Sequence, residues 1–227
     1  MQDAEPKLSW TEVTTFVRQL NHDLRNHLNA LELQAAFLNE IVADGEAKAE
    51  VKRLRELTGE AGAQLQRLSA QLATIRVTPL PYRATEFIED LRARLESENA
   101  ERATAITWRI SLGEETFEVD PLLLQSAFLE LFDNAFTHQR GEGALVFEAQ
   151  ASGGKIELVL REPKAKFEGS TGNWGRRPLG QVRHGHYSLG LFRARAIFEA
   201  HHGTYCAQFD PAASVLSTTV SLPLVAA

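Results

Sequence analysis

The sequence has 227 residues, of which 44% are hydrophobic and 24% charged. These proportions are typical of a folded protein with its own core, and they exclude a disordered or collagen-like chain. The net charge of −6 gives no general attraction to nucleic acid, and no apolar run is long enough to span a membrane. The single cysteine, Cys206, excludes an internal disulfide. Because the first residues also lack a signal-peptide pattern, we expect a cytoplasmic protein.

Two long amphipathic helices open the chain. Apolar residues recur every three or four positions from Val13 to Val42, and again from Val51 to Ile75 with the heptad spacing of a packed seam. Between them, Asp44 suits a turn and Gly45 suits a helix end. The pattern predicts an antiparallel hairpin, whose apolar stripe is fully covered only when two hairpins pair in a four-helix bundle. We therefore expect a homodimer. The alternative is a monomeric hairpin packed on the rest of the chain.

A second domain is expected after the Pro-containing segment 78–81, which ends the second helix. The predicted domains are thus 1–78, an all-α hairpin, and 79–227, an α+β sandwich with helices on one face of a mixed sheet. Its helices are predicted at 85–99, 121–139 and 188–202, and its strands at 104–112, 144–150, 155–162, 203–209 and 214–222.

The segment 163–187 is predicted to be a long loop. Six basic and two acidic residues lie between Arg161 and Tyr187, in a chain that is acidic overall. Loops of this length often act as lids, and a basic loop beside a helix N-terminus can hold phosphate groups. A solvated surface loop is the alternative.

A polar motif lies on the exposed side of the first predicted helix. Residues 20–28 read Leu-Asn-His-Asp-Leu-Arg-Asn-His-Leu, and His22 points away from the apolar stripe. A solvent-facing neutral imidazole can act as a nucleophile. Asp23 is placed to orient the ring or accept its proton, and Asn26 to position water or a phosphoryl oxygen. The alternative for each of these side chains is a polar residue on the surface that takes part in no reaction.

The segment 22–26, His-Asp-Leu-Arg-Asn, resembles the H-box of two-component sensor histidine kinases. In that family the H-box lies on the first helix of a dimerisation and phosphotransfer hairpin. The resemblance implies that His22 is the phosphoacceptor and Asp23 an acid–base residue. It also implies that Asn26 positions water for dephosphorylation of a response regulator.

The predicted helix 121–139 resembles the N-box of the kinase, gyrase, heat-shock chaperone and mismatch-repair ATPase superfamily. Glu130, Asn134 and His138 recur every four residues on one face, and oxygen ligands so arranged suit a Mg²⁺ that also binds phosphates. The resemblance implies that Asn134 is the Mg²⁺ ligand, while Glu130 replaces the more usual Asn. An ordinary amphipathic helix is the alternative.

The two glycine boxes of the family are matched unequally. Residues 185–191 resemble the last box, with Ser188 suited to cap a helix and Gly190 to let the backbone approach a phosphate. At the first box, Glu162 replaces an Asp that contacts the adenine amino group, and Lys164 and Lys166 replace two glycines. The nucleotide-binding residues expected from the resemblance are Glu130, Asn134, His138, Glu162, Arg176, Arg177, Gly185, Ser188 and Gly190.

Taken over the chain, the resemblance implies a phosphotransfer hairpin followed by a Bergerat-type ATP-binding fold. The expected function is a histidine kinase that uses ATP and Mg²⁺ to phosphorylate His22 and passes the phosphoryl group to an aspartate of a response-regulator receiver domain. The altered first glycine box favours an alternative, an ATP-independent dimeric histidine phosphotransferase or response-regulator phosphatase. A non-catalytic docking scaffold is a weaker alternative. About ten residues precede the first helix, so a separate sensor protein or the lid is the expected source of a signal.

Overall fold

The chain divides into two compact units, Met1–Thr74 and Ile75–Ala227. The computed structural model describes residues 9–138, 140–167, 171–179 and 189–225. None of the helices in these ranges combines the length and the apolar character needed to cross a membrane.

Unit 1 is a hairpin of two long helices, α1 (Trp10–Ile41) and α2 (Gly45–Leu72). Ser9 and Glu12 form a reciprocal capping box at the start of α1. Asp44 caps α2, since its Oδ2 accepts a hydrogen bond from the backbone N–H of Ala47 at 2.8 Å. Gly45 is therefore the first residue of α2 and not the end of α1, because the cap at Asp44 decides where the second helix begins.

One side of α1 remains apolar and exposed in the single chain. The side of α1 that faces α2 buries Asn21 and Ala35. About a quarter turn away runs a stripe of large apolar residues that are 39–67% exposed, namely Phe16, Leu20, Leu24, Leu31 and Leu38. The stripe is a continuous surface because its members are spaced by four or seven residues along one helix.

Unit 2 combines a small and a large sheet. The small one pairs β1 (Leu80–Arg83) with β3 (Thr116–Val119). The large one contains β2 (Ile106–Ser111), β4 (Leu145–Ser152), β5 (Lys155–Pro163), β6 (Thr204–Asp210) and β7 (Val215–Pro223) in the order β2-β4-β5-β7-β6. Only the β2–β4 pair is parallel among these described strands. The helices are α3 (Ala84–Glu98), α4 (Ala100–Thr104), α5 (Pro121–Thr137) and α6 (Leu189–Ala200), with a 3-10 turn at Thr171–Asn173.

The core lies between the large sheet and its helices. The ring of Phe128 on α5 contacts Phe147 on β4 at a centroid distance of 5.8 Å and Phe198 on α6 at 5.1 Å. Along β5, Ile156, Leu158 and Leu160 are buried on the same face, as their alternation predicts. The predicted fold class, an α-helical hairpin followed by an α+β sandwich with a mixed sheet, is confirmed. The sequence patterns missed β1, β3 and α4, which have only four, four and five residues.

Candidate functional site

His22 and two neighbouring side chains form an exposed polar cluster on α1. The His22 side chain is 68% exposed, and its Nδ1 lies 3.2 Å from Oδ1 of Asp23. The amide nitrogen of Asn26, one turn later, lies 3.4 Å from the same Nδ1. Gln19 donates to Oδ1 of Asp23 at 2.9 Å, which holds the carboxylate beside the ring. The structure thus brings together the three residues that the H-box resemblance selects in unit 1.

The Asp23 carboxylate decides which ring nitrogen of His22 is available for reaction. An ionised carboxylate only accepts hydrogen bonds, so its contact with Nδ1 at 3.2 Å favours the tautomer that carries its proton on Nδ1. The Asn26 amide nitrogen is a donor and favours the opposite tautomer, but its contact is longer, at 3.4 Å, and lacks the charge of the carboxylate, so the contact with Asp23 prevails. The lone pair is then on Nε2, the nitrogen at the outer end of an exposed ring. This arrangement suits nucleophilic attack by Nε2 while the Asp23 carboxylate stabilises the positive charge that develops on the ring.

Asn21, which the sequence analysis did not select, anchors this part of α1 to α2. Its side chain is 2% exposed, and its amide donates to the Leu65 carbonyl at 2.7 Å and to the Ser69 hydroxyl at 2.6 Å. Because Asn21 immediately precedes His22, these bonds fix the position from which the His22 side chain leaves the helix. The sequence offered one signal for this role of Asn21, namely that it is a polar residue on the side of the helical pattern that faces α2.

The α5 helix carries the N-box residues of unit 2. Asp120 caps its start by accepting from the Leu123 N–H at 3.0 Å, and Pro121 follows at the first turn. Glu130 and Asn134 are half-buried, and His138 is exposed at the end of the helix. No cluster of three or more His, Cys, Asp and Glu side chains among the described residues could hold a metal ion.

A buried ion pair lies at the end of β5. Glu162 and Lys164 are 2% and 5% exposed, and the Lys164 Nζ lies 2.7 Å from the Glu162 Oε2. The same ammonium donates to the backbone carbonyl of His138 at 2.7 Å. Burial raises the pKa of the Glu162 carboxyl above its usual range, and the charge of Lys164 opposes that shift.

The described part of the predicted lid packs through aromatic side chains. The Phe167 ring lies 5.7 Å from Trp174 and 4.6 Å from Phe209 on β6, measured between centroids. Gly175 has a φ of +67°, and a Cβ there would lie 2.7 Å from the carbonyl oxygen of Leu191 on α6, so this close approach requires glycine. The Arg195 guanidinium also donates to the Trp174 carbonyl at 3.3 Å.

The remaining predicted nucleotide residues are distributed over the lid and α6. Arg176 and Arg177 are exposed, and Arg176 donates to the Gly172 carbonyl at 3.0 Å. Gly190 is half-buried in the first turn of α6. Gly185 and Ser188 lie outside the residues that the structure describes.

The residues fit a Mg-nucleotide only in part. Half-buried oxygen donors on α5 suit a metal ion that shares phosphate ligands. At the first glycine box, however, the structure has a buried Lys164 side chain where the resemblance expects a glycine, and the Glu162 carboxylate already contacts that ammonium.

Solved histidine kinase structures have the same fold as this chain. Full-length ShkA, crystallised with AMPPNP, matches 94% of this chain with a TM-score of 0.72 and 18% sequence identity. The Acinetobacter baumannii histidine kinase AdeS matches 89% of this chain and 97% of its own, with a TM-score of 0.52 and 17% identity. The catalytic domain of histidine kinase ThkA matches 66% of this chain and 96% of its own, with a TM-score of 0.52 and 14% identity.

These matches confirm the predicted fold, a helical hairpin followed by an α+β sandwich of the kind found in solved histidine kinases. The chain spans about half of ShkA, 46% of its length. No protein-family model matches the sequence, and no curated protein matches it significantly.

Proposed function

We propose that this chain acts in two-component signalling as a histidine kinase core, in which His22 takes a phosphoryl group from Mg-ATP and passes it to an aspartate of a receiver domain. The observation that carries the proposal is the exposed cluster of His22, Asp23 and Asn26. It lies on a hairpin that is followed by a sandwich with the histidine kinase fold.

The chemistry assigned to unit 1 follows from the hydrogen bonds of the cluster. Bound ATP would supply the phosphoryl group. The lone pair of His22 Nε2 would form the new N–P bond while the bond between the γ-phosphorus and the bridging oxygen breaks, and ADP would leave with that electron pair. The Nδ1 proton stays beside Asp23, whose carboxylate balances the charge of the phosphorylated ring. Asn26 has an amide within 3.4 Å of the ring, so it is placed to orient water when the phosphoryl group of a receiver is hydrolysed. In unit 2, Asn134 and Glu130 are the proposed residues for Mg²⁺.

A homodimer is part of the proposal. The stripe of exposed apolar residues on α1 is too long and too regular to be stable in water as a free surface, and a second hairpin would cover it. The proposed further partners are a receiver domain with an acceptor aspartate and a separate sensor protein. The proposed location is the cytoplasm.

Phosphate incorporation from γ-labelled Mg-ATP tests the kinase function directly. Label that is stable to base and labile to acid should appear on the wild-type chain and be absent from His22→Ala and Asn134→Ala. His27→Ala is the matched control, because this second exposed histidine lies five residues further along the same helix and should not alter the label. Absence of label on a folded wild-type dimer would contradict the autonomous kinase.

The buried Glu162–Lys164 pair favours a second candidate function, an ATP-independent phosphotransferase or receiver phosphatase. In that case His22 would exchange its phosphoryl group with receiver domains alone. Incubation with a labelled phospho-receiver should then transfer label to the wild-type chain and not to His22→Ala. For the phosphatase, Asn26→Ala should slow the loss of label from the receiver while leaving transfer to His22 intact. If the wild-type chain neither takes label from the phospho-receiver nor speeds its loss, only a docking scaffold remains.

A further inference from the structure

The side chain of Lys164 bridges the end of β5 and the end of α5. Its ammonium contacts the Glu162 carboxylate and the His138 carbonyl at 2.7 Å each. Within the ranges that the structure describes, Glu162 is the only buried carboxylate and Lys164 the only buried ammonium. A charged pair is retained in such a place only when the partners compensate each other, because burying either charge alone is strongly unfavourable.

The backbone around Lys164 is closely packed. The Lys164 N–H donates to the Ser214 carbonyl at 2.9 Å, and the Gly141 N–H donates to the Pro163 carbonyl at 2.8 Å. A Cβ on Gly141 would lie 2.8 Å from the carbonyl carbon of Lys164. The main chain is thus fixed from both sides. Lys164 can therefore leave Glu162 only by a movement of its side chain.

An ammonium and an aromatic amino group compete for the same partner. Both are N–H donors, and an ionised carboxylate such as Glu162 is an acceptor only. The proposed nucleotide would extend from Glu162 on β5 to Asn134 on α5. The Lys164 side chain crosses between the same two elements, because its ammonium reaches the carbonyl at the end of α5.

We propose that Lys164 is a tethered competitor for the Glu162 carboxylate, so that unit 2 binds an adenine nucleotide well only when Lys164 is displaced. The inference rests on the proposed nucleotide site. Under this proposal Lys164 is a specificity-determining residue. Its position decides whether a nucleotide or a phosphorylated receiver is the effective phosphoryl donor to His22.

Titration of the full chain with Mg-AMPPNP, followed by calorimetry, tests the proposal. Lys164→Ala removes the competitor and opens its space, and the dissociation constant should fall by about tenfold or more, the change that about 1.4 kcal/mol produces. The double variant Glu162→Ala/Lys164→Ala opens the space without the acceptor and should show no gain over wild type. Lys155→Ala is the matched control, because it removes an exposed lysine from the start of the same strand.

A second variant, Lys164→Gln, keeps the proposal testable if Lys164→Ala does not fold. Lys164→Ala leaves a buried carboxylate without its cation, so the thermal unfolding of each variant is measured first. Lys164→Gln keeps a hydrogen-bonding side chain beside Glu162 and is the variant to titrate if the alanine variant does not fold. Because a neutral amide competes less well than an ammonium, it should also bind the nucleotide more tightly than wild type.

The two proposals fail in different ways. The competitor role is overturned if the folded Lys164 variants bind Mg-AMPPNP no better than wild type. This holds both when wild type and variants all bind tightly and when none of them binds. A gain that survives in the Glu162→Ala/Lys164→Ala variant overturns it as well. Transfer of label from a phospho-receiver to His22 does not involve position 164, so its failure contradicts the proposed phosphotransfer function and leaves the titration result valid.

Discussion

The imidazole of His201 accepts a hydrogen bond at Nε2 from the backbone N–H of Asp120, at a distance of 3.0 Å. Its Nδ1 lies 2.8 Å from the Ile197 carbonyl. Because the backbone amide can only donate, Nε2 must be unprotonated and Nδ1 must carry the proton. The ring is 3% exposed, and it links the residue that caps α5 to the carboxyl end of α6. His201 is therefore a structural residue of unit 2.

We expect His201→Ala to destabilise unit 2 by about 1–3 kcal/mol, because it leaves the half-buried Asp120 amide without its acceptor. The measurement is denaturant unfolding of the full chain followed by circular dichroism. His202→Ala is the matched control, since the neighbouring ring is exposed, and it should change the stability by less than about 0.5 kcal/mol. Equal effects of the two substitutions would contradict the role given to His201.

Asn21 provides a second prediction, for the hairpin. Its amide donates to two groups on α2, so Asn21→Ala should destabilise unit 1 by about 1–3 kcal/mol. Asn21→Asp should be worse, because a carboxylate cannot donate to the Leu65 carbonyl and is repelled by it. The measurement is the unfolding transition of the helical signal, with Asn29→Ala, which changes an exposed asparagine of α1, as the control. A smaller effect for Asp than for Ala would contradict the donor role.

The long elements were predictable because their residues repeat. The α1 and α2 patterns persist over seven or more turns, and the alternation in β5 places Ile156, Leu158 and Leu160 on one face. The short strands β1 and β3 pair only with each other in the small sheet. Four residues carry too few alternations to stand out from a loop, so no local pattern could have revealed them.

The candidate site was predictable only where its residues are close together in the sequence. His22, Asp23 and Asn26 lie within one turn of a helix, so their proximity follows from the helical repeat. Sequence spacing treated Lys164 and Lys166 alike, as replacements for glycines. The structure separates them, because Lys164 is buried against Glu162 and Lys166 is exposed. That distinction depends on α5 and on the segment near Ser214, which are distant in sequence.

The exposed stripe of α1 gives a prediction about oligomeric state. Leu31 lies within the stripe and is 49% exposed, whereas Leu33 points to another side of the helix and is 72% exposed. Leu31→Glu should convert the proposed dimer to a monomer, because it places a charge in an apolar interface. Leu33→Glu introduces the same charge outside the stripe and should leave the dimer intact. Light scattering on a size-exclusion column measures the mass of each variant, and a dimeric Leu31→Glu would contradict the proposed interface.

The buried carboxyl of Glu162 predicts how the stability of unit 2 depends on pH. Burial raises its pKa above the ordinary value of 4.5, with Lys164 opposing the shift. A carboxyl whose pKa is raised in the folded state stabilises the fold fully below the unfolded pKa, and this contribution is lost as pH rises through the folded pKa. Glu162→Gln does not titrate, so its stability relative to wild type should increase as the pH rises above 4.5. Lys164→Ala, which removes the opposing charge, should lose stability more steeply than wild type over the same range.

Unfolding free energies measured from about pH 4 to about pH 8 test this dependence. Glu118→Gln is the control, because that glutamate is exposed on β3, and its curve should run parallel to that of wild type. The decisive result is the sign of the change in stability with pH, measured for wild type relative to Glu162→Gln. If wild type gains stability relative to Glu162→Gln as the pH rises, then Lys164 outweighs burial and the Glu162 pKa lies below its ordinary value. In that case the Lys164 ammonium holds the carboxylate more strongly than burial opposes it, and displacing Lys164 would require a correspondingly stronger ligand.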